Sequence, residues 1–485
     1  MVRFSPPSHL ILSPSGMRGI FGDSLTSEVI IRFCEAFGHW LRTKKNNTPK
    51  VLIGMDTRTT GSIVKNLALG ALQGVGVRII DVDVCSTPAL LYGHKYFQCD
   101  GTVIISASHN PPIYNGMKCL APTGTFLSKE ELSEINTFFT LEKPVSYVEW
   151  NKVISIETRS DLTRIYLDAM KEFLDLNTFQ SQKKQPLRVV VDPGAGAGSG
   201  LTATFLHELG CEVLEINAKL KPDGTFPREF EPIKPHLLDL GQKIAEFKAD
   251  VGFAHDCDAD RVGLIGETGE IYPEDVILAL IVNYTLNKAK QKQKIPPSQI
   301  HMVTNCASSL MLDDLAEKFQ VKLNKTPVGE RYLAEKMNLL LKDKDPNQNL
   351  IFGGEGSCGG FMLPAFNNTR DGIFAAVNIC AILIETSKKI SELVAELPHY
   401  VSLRKKIQLA KVSANSIMEN LRTHLKKNKI DFETIDNDAK IMGDYEWTLV
   451  HPSNTEPIIR IITEAKTEQR ARELLDEMDL LIEKL

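Results

Sequence analysis

The chain lacks most of the features that mark specialised protein classes. Its nine cysteines, Cys34, Cys85, Cys99, Cys119, Cys211, Cys257, Cys306, Cys358 and Cys380, include no Cys-x-x-Cys pair. An odd number at irregular spacing fits neither a disulfide framework nor a zinc site, so free thiols in a reducing compartment are expected. No uninterrupted apolar stretch is long enough to span a bilayer. The opening Met1-Val2-Arg3-Phe4-Ser5-Pro6-Pro7 lacks the apolar core of a signal peptide. The expectation is a cytoplasmic protein with no membrane partner. A large excess of charge of either sign is also lacking. A net charge of −5 gives no basic field of the kind a general nucleic-acid binder carries. There is no low-complexity tract.

What is present points to an ordinary globular chain of several domains. Its 485 residues exceed the roughly 250–300 that one core supports. With 43% hydrophobic and 24% charged residues the composition is that of a soluble fold. Strand-like runs alternate with helix-like ones. Val51-Leu52-Ile53-Gly54 precedes a turn rich in charge and hydroxyls, then a helical run from Ser62. Val77–Ile80 reads as a strand ending at Asp81; Leu187–Asp192 leads through a Gly-rich turn to a helix from Leu201; Val251–Ala254 and Val262–Ile265 follow. This βα grammar predicts parallel sheets covered by helices. The C-terminal stretch reads helix, strand, strand, helix, a smaller α+β unit. Its last helix places Leu474, Leu475, Met478, Leu481, Ile482 and Leu485 on one face, with Thr467 as N-cap. Leu141–Pro144 and Gly266–Gly269 read as linkers, and the lysines at 288, 290, 292 and 294 as a solvated surface.

Four segments carry chemistry. The first is Ser106-Ala107-Ser108-His109-Asn110-Pro111-Pro112, which follows the apolar run Thr102–Ile105. Two prolines force a turn at the strand end, where open α/β sheets place their sites. Ser108 offers a nucleophile, His109 a proton carrier, and Lys118 lies a short way on. The second is Asp256-Cys257-Asp258-Ala259-Asp260-Arg261 between two strand-like runs. Alternating carboxylates suit a hard cation such as Mg²⁺. An EF-hand loop is excluded because Arg261 stands where that loop needs Gly and the flanks read as strands. Arg261 either pairs with the carboxylates or points at a ligand. The third, Gly353-Gly354-Glu355-Gly356-Ser357-Cys358-Gly359-Gly360, brings backbone close to a ligand and lets Glu355 and Ser357 bond hydroxyls. The fourth, His451-Pro452-Ser453-Asn454-Thr455-Glu456-Pro457 with Arg460, has the donors of an anion nest. Arg18, between Gly16 and Gly19, is within reach of a phosphoryl group or is a plain surface residue. The glycines of Asp192–Gly198 lack the G-x-G-x-x-G spacing and read as a tight strand-to-helix turn.

In this order, the segments resemble the α-D-phosphohexomutases, a family that includes phosphoglucomutases, phosphomannomutases and phosphoglucosamine mutases. The resemblance covers essentially the whole chain. It implies three similar α/β domains with mixed sheets plus a smaller C-terminal α+β domain around a central cleft. The boundaries expected are 1–149 (phosphoserine loop), 150–268 (metal loop), 269–395 (sugar loop) and 396–485 (phosphate loop). By the same resemblance Ser108 is the phosphorylated serine and lends an oxygen to Mg²⁺; Asp256, Asp258 and Asp260 are its ligands. Glu355 and Ser357 bind sugar hydroxyls. Ser453, Asn454, Thr455 and Arg460 hold the non-reacting phosphate. Arg18, His109 and Lys118 match groups near the transferring phosphoryl, with Lys118 a general acid/base, a task that needs a lowered pKa; Arg261, after the aspartates, is taken as substrate-binding. The chain departs from many members in having His451 in place of Arg, and from some in having Gly359 in place of His.

The implied reaction interconverts hexose 1-phosphate and hexose 6-phosphate through a hexose 1,6-bisphosphate, which also serves as activator. Small sugar phosphates of glucose, mannose or glucosamine are the implied partners; Val328–Tyr332 and Ile105–Ser108 look somewhat like the glucosamine branch. Two rivals are a phosphoserine-dependent sugar phosphatase and a non-catalytic sugar-phosphate-binding protein. The second predicts loss of the Ser, Lys or Asp residues, and all are present. Nothing in the sequence speaks to oligomeric state.

Overall fold

The computed structural model describes residues 3–45, 48–174, 185–343, 345, 348–356, 359–409, 413–452 and 458–485. The chain divides into two compact units, Met1–Glu274 with Cys358–Ser391, and Asp275–Ser357 with Glu392–Leu485.

The first unit holds two sheets. The larger has β1 (Ile11–Ser13), β2 (Gly16–Ile20), β3 (Lys50–Met55), β4 (Arg78–Val84), β5 (Gly101–Ile105), β6 (Tyr114–Leu120) and β7 (Glu157–Thr158), ordered β1-β2-β6-β5-β3-β4-β7. The β3, β4, β5 and β7 pairings are parallel, while β6 runs antiparallel to β5 and β2. Val51 and Ile53 pack into a core with the helices Ser27–Lys44, Gly61–Gly74 and Lys129–Phe139. On the other face Gly54 abuts Leu90 and Gly93 abuts Leu52 and Leu162. Burial on both faces is why β3 reads as an unbroken apolar run. The helices start where their caps allow. Thr26 accepts from Val29 N, Ser86 from Ala89 N, and Ser128 forms a capping box with Glu131. β7 joins this sheet from beyond residue 149, where the sequence reading ends the first domain.

The second sheet has β8 (Arg188–Asp192), β9 (Glu212–Glu215), β10 (Val251–His255) and β11 (Val262–Gly266), ordered β11-β10-β8-β9. β8 is parallel to β9 and β10, and β11 is antiparallel to β10. It repeats the grammar of the first sheet. A parallel strand, β5 or β10, ends in a loop that returns as an antiparallel strand, β6 or β11. The serine loop and the aspartate loop occupy these two equivalent turns.

In the second unit β12 (Ile300–Asn305) lies between parallel β13 (Lys322–Thr326) and β14 (Leu350–Glu355). A β-carbon at Gly353 would sit 1.8 Å from Val303 O, so only glycine permits this approach of β14 to β12. β15 (Gly360–Met362) and the helix Gly372–Thr386 belong to the first unit. The C-terminal sheet is antiparallel, ordered β16-β20-β19-β18-β17, from β16 (Val401–Gln408), β17 (Glu433–Ile435), β18 (Asp438–Gly443), β19 (Glu446–Pro452) and β20 (Ile458–Ala465). It therefore holds five strands, with β16 before its first helix, rather than the two that the sequence pattern suggested. Short, half-polar strands such as β17 carry too little periodicity to register. One face packs on the helices Ala414–Lys427 and Glu468–Lys484 through Val450, Ile459, Ile461, Leu475, Met478 and Ile482. Thr467 caps the last helix by accepting from Arg470 N. The opposite face sets Trp447, Leu449 and Ile462 against Cys306, Ala307 and Leu310.

The lysines at 290, 292 and 294 are exposed. The cysteines among the described residues are free and buried. Among these residues no helix is long and apolar enough to cross a membrane.

Candidate active site

The serine and aspartate loops of the first unit meet. Ser108 Oγ donates to Asp256 Oδ2 at 2.7 Å, and Ser108 is 2% exposed. Its φ of +50° is left-handed, which costs an L-residue about 1–2 kcal/mol. The turn is held by Ser108 N donating to Ser106 Oγ and by Asn110 N donating to Ala107 O. Asp256, Asp258 and Asp260 are fully buried and offer one oxygen each within 4.8 Å of one another. Asp256 Oδ1 accepts from Arg261 N, which curls the loop back on itself. The Gly-rich turn after β8 supports it from behind. Ala197 N donates to Cys257 O, and a β-carbon on Gly196 would lie 2.6 Å from that same oxygen. The glycines that read only as a turn are what lets the backbone pass this close.

Cations surround the carboxylates. Lys118, on β6 and 3% exposed, donates to Asp258 Oδ2 at 2.6 Å and to Asp260 Oδ2 at 3.1 Å. Arg370 donates to Asp260 Oδ2 at 3.0 Å, and Arg261 lies 3.9 Å from Asp260 Oδ1 and 3.6 Å from Glu231. Arg18, on β2, donates to Asn110 Oδ1 at 3.0 Å. Thr87 donates from its hydroxyl to Asp258 Oδ2 and from its amide to Asp258 O. Arg261 is thus placed beside carboxylates on both sides. His109 is half-buried in the serine turn.

These contacts split the three aspartates. Burial, then the Asp260 and Asp258 charges, hold Asp256 well above the usual carboxylate range. Burial also works against the charged forms of Asp258 and Asp260. It is outweighed at Asp258 by Lys118 and Thr87, and at Asp260 by Arg370, Lys118 and Arg261, so both sit below the usual range. Burial lowers the Arg18 pKa, with Arg261 and Arg370 adding to the effect against Asp258 and Asp260. For Lys118 burial alone would lower the pKa, but Asp258 and Asp260 more than reverse it and the net shift is upward. The lowered value expected from the sequence is not found, because its two carboxylate partners stabilise the ammonium.

The remaining motif residues lie in the second unit. Glu355 ends β14, is buried, and accepts from Asn305 Nδ2 at 2.8 Å. Asn305 in turn accepts from Ala307 N and Ser308 Oγ. His451 stands directly opposite Arg460 in the β19–β20 pair. Its Nδ1 is 2.7 Å from Asp438 Oδ1, and since a carboxylate accepts, that nitrogen carries the proton. Ser357, Ser453, Asn454 and Thr455 lie outside the described residues. The sequence reading missed Arg58, Thr87, Arg370, Asn305 and Asp438. Only Arg58 left a trace, as part of the charged, hydroxyl-rich turn after β3.

A serine turn facing three buried carboxylates and surrounding cations, on repeated α/β units, is an arrangement suited to phosphoryl transfer. The comparisons narrow the class. Models of the phosphoglucomutase/phosphomannomutase alpha/beta/alpha domains I, II and III match residues 10–145, 164–269 and 273–400, and that of the C-terminal domain matches 412–481. A phosphoglucomutase/phosphomannomutase of Thermococcus kodakarensis is 35% identical over 95% of this chain and 96% of its own length. A probable phosphoglucosamine mutase of Pyrococcus abyssi is 34% identical over 96% of each chain. Among solved structures, a phosphoglucomutase/phosphomannomutase family protein of Burkholderia thailandensis superposes with a TM-score of 0.79 at 22% identity, over 97% of this chain and 96% of that one. The Aspergillus fumigatus N-acetylphosphoglucosamine mutase, in complex with GlcNAc-6P and magnesium, shares the fold with a TM-score of 0.56 at 14% identity, over 97% and 95%. The chain belongs to the phosphoglucomutase/phosphomannomutase family. It is a phosphohexomutase, which interconverts hexose 1-phosphate and hexose 6-phosphate through a phosphoserine enzyme and a hexose 1,6-bisphosphate.

Proposed function

We propose that Ser108 is the serine phosphorylated in this cycle and that the turnover substrate is a 1- or 6-phosphate of glucose, mannose or glucosamine. The observation that carries the reading is the 2.7 Å contact between Ser108 Oγ and Asp256, at a strained, buried turn. Phosphoryl transfer depends chiefly on positioning and charge neutralisation, and this site supplies both. Arg18 and Lys118 carry positive charge for the transferring group, and Arg370 balances Asp260 from another side. Lys118 is the group placed to exchange a proton with the sugar hydroxyl, and His109 flanks the phosphoserine. Arg261 serves the substrate side of the aspartate loop. Glu355 and Ser357 bind sugar hydroxyls; Ser453, Asn454, Thr455 and Arg460 hold the phosphate that is not reacting, with His451, which faces Arg460 across the β19–β20 pair, helping on that side. Four domains divide these tasks, with boundaries near 268 and 395 and a first domain that extends past residue 149 to take in β7.

The aspartate cluster fits a divalent cation. Oδ1 of Asp258 and Oδ1 of Asp260 are buried and accept no hydrogen bond, so a ligand-bearing atom is left on each carboxylate. The all-oxygen set suits Mg²⁺. Asp256, Asp258, Asp260 and a phosphate oxygen on Ser108 would hold it. When bound, it neutralises carboxylate and phosphoryl charge. A hexose 1,6-bisphosphate would activate the enzyme by loading Ser108.

The test uses purified protein with Mg²⁺ and each of the three sugar 1-phosphates. Ser108→Ala is expected to lose several orders of magnitude in mutase rate while keeping its melting temperature. Wild-type turnover by that variant would reject the reading. Stoichiometric release of inorganic phosphate by the wild type would point to the phosphatase instead. Chelation with EDTA is expected to stop turnover, and added Mg²⁺ to restore it.

A further inference from the structure

We propose that Arg58 is the positioning residue of the phosphotransfer centre: it holds the Ser108 turn in its strained conformation and in register with the aspartate loop. The proposal rests on the reading of Ser108 as the phosphorylated serine.

Arg58 follows β3 and its side chain is fully buried. A guanidinium has five N–H donors in a fixed plane. Here all five are used. One terminal nitrogen donates to Ser108 O and Asn110 O, both at 2.7 Å. The other donates to Pro111 O at 2.9 Å and Tyr114 O at 3.0 Å. Nε donates to Asp56 Oδ2 at 3.2 Å. Four carbonyls of the serine loop thus converge on one cation. No donor is left for a substrate, so Arg58 acts through the loop.

Asp56 extends the clamp. Its Oδ1 accepts from Arg58 N and its Oδ2 from Arg58 Nε, while the Ser106 hydroxyl oxygen accepts from Ser108 N. Ser108 is therefore gripped at its carbonyl by Arg58 and at its amide by Ser106. Those grips offset the cost of φ +50°.

The same guanidinium reaches the second sheet's domain. It lies 4.7 Å over the Phe230 ring. Phe230 packs with Phe226, Ala195 and Cys257, and Cys257 stands between Asp256 and Asp258. Next to Arg58, Thr57 Oγ1 donates to Ala195 O at 2.7 Å. The segment Asp56-Thr57-Arg58 is one strut touching both loops. The Ser108–Asp256 distance is set where those loops cross.

Arg58→Lys separates positioning from charge. Lysine keeps the charge but has only three donors on a tetrahedral nitrogen, so it cannot span four carbonyls. The variant is compared with wild type well below its melting temperature, with the hexose 1-phosphate that wild type turns over best. A fall in kcat on the order of 10²-fold is expected, with KM within about threefold. Ser108 should take up phosphate from glucose 1,6-bisphosphate correspondingly slowly, read by intact mass. A folded Arg58→Lys protein with near wild-type kcat and loading overturns the proposal, as does a loss confined to KM. If that variant does not fold, Ser106→Ala decides, since it frees the Ser108 amide and leaves the guanidinium in place. A kcat loss with KM kept supports the proposal, and unchanged kcat overturns it. Ser108→Ala run in parallel tells the two readings apart. If it stays active the phosphoserine assignment has failed; if it is dead while Arg58→Lys is normal, only the positioning role has.

Discussion

At the scale of single residues, burial and pairing decide what each group can do. The side chains of Asp256, Asp258 and Asp260 are chemically identical, yet only Asp256 lacks a cationic side chain donating to it and is pushed upward in pKa. His451 gains its orientation from Asp438, which opens β18, the strand that precedes β19 in the chain and pairs with it in the sheet. His451→Ala is expected to raise KM for hexose phosphates about tenfold, equivalent to about 1.4 kcal/mol, with kcat little changed. Asp438→Asn, which leaves the imidazole but frees it to rotate, should give a smaller rise. Steady-state kinetics on both variants check this, and an unchanged KM would remove His451 from the binding site. The candidate site residues were legible because serine, histidine and carboxylates at strand ends are chemically conspicuous. Their partners were not. Arg58, Thr87 and Arg370 are unremarkable one at a time and matter only because the fold brings them to loops far away in sequence.

At the scale of elements, caps and short contacts tie the helices to the site. Asp371 follows Arg370 and caps the helix Gly372–Thr386, accepting from Phe374 N at 2.9 Å and from Tyr166 OH at 2.6 Å. Burial raises its pKa to about 6, against the help of Tyr166 and the cap. A carboxyl whose folded pKa lies above its unfolded value stabilises the fold fully below the unfolded pKa, and that contribution is lost as pH rises through the folded one. The window therefore runs upward from about pH 4 through about pH 6, with a size of roughly 3 kcal/mol. Asp371→Asn keeps an acceptor for the cap and cannot titrate. Denaturant melts from about pH 4 to about pH 8 should show the wild type losing stability relative to the variant, and parallel curves would contradict the assignment. Element positions were well read where one run is buried on both faces, as in β3, β5 and β10. They were poorly read in the C-terminal sheet, where β16 is nowhere fully buried and carries the charged run Arg404-Lys405-Lys406, and β17 is short.

At the scale of the whole molecule, buried polar groups join successive domains. In the second unit Lys440 is 1% exposed, donates to Cys306 O at 2.6 Å and lies 4.3 Å from the Trp447 ring. Glu464 accepts from Leu310 N and from Trp447 Nε1, both at 2.8 Å. Together they latch the C-terminal sheet to the segment after β12. Burial, reinforced by Lys325, lowers the Lys440 pKa to about 8. A lysine whose folded pKa is depressed contributes stability above its unfolded pKa and loses it as pH falls through the folded one. Folding stability should therefore rise between about pH 8 and about pH 10, because the folded state no longer buries a charge there. Lys440→Met abolishes this rise, and thermal melts of both proteins across that range check it. Mg²⁺ should in addition raise the melting temperature of the wild type in a concentration-dependent way, and do so less for Asp258→Asn, since a ligand that binds only the folded state stabilises it by mass action.

The sequence by itself determined the class. Apolar runs between turns dictated parallel α/β units, and the serine, aspartate, glycine and phosphate-type motifs in one order dictated a phosphohexomutase. Local patterns suffice there because strand burial and turn chemistry are written in neighbouring residues. Tertiary structure alone decided how the motifs work. The upward shift of Lys118, the unequal aspartates and the clamp of Arg58 on the Ser108 turn arise between residues far apart in sequence, and the Asp438–His451 pair arises between two neighbouring strands. Charge and hydrogen bonding act through space, over a few ångströms, and only the folded chain sets those distances.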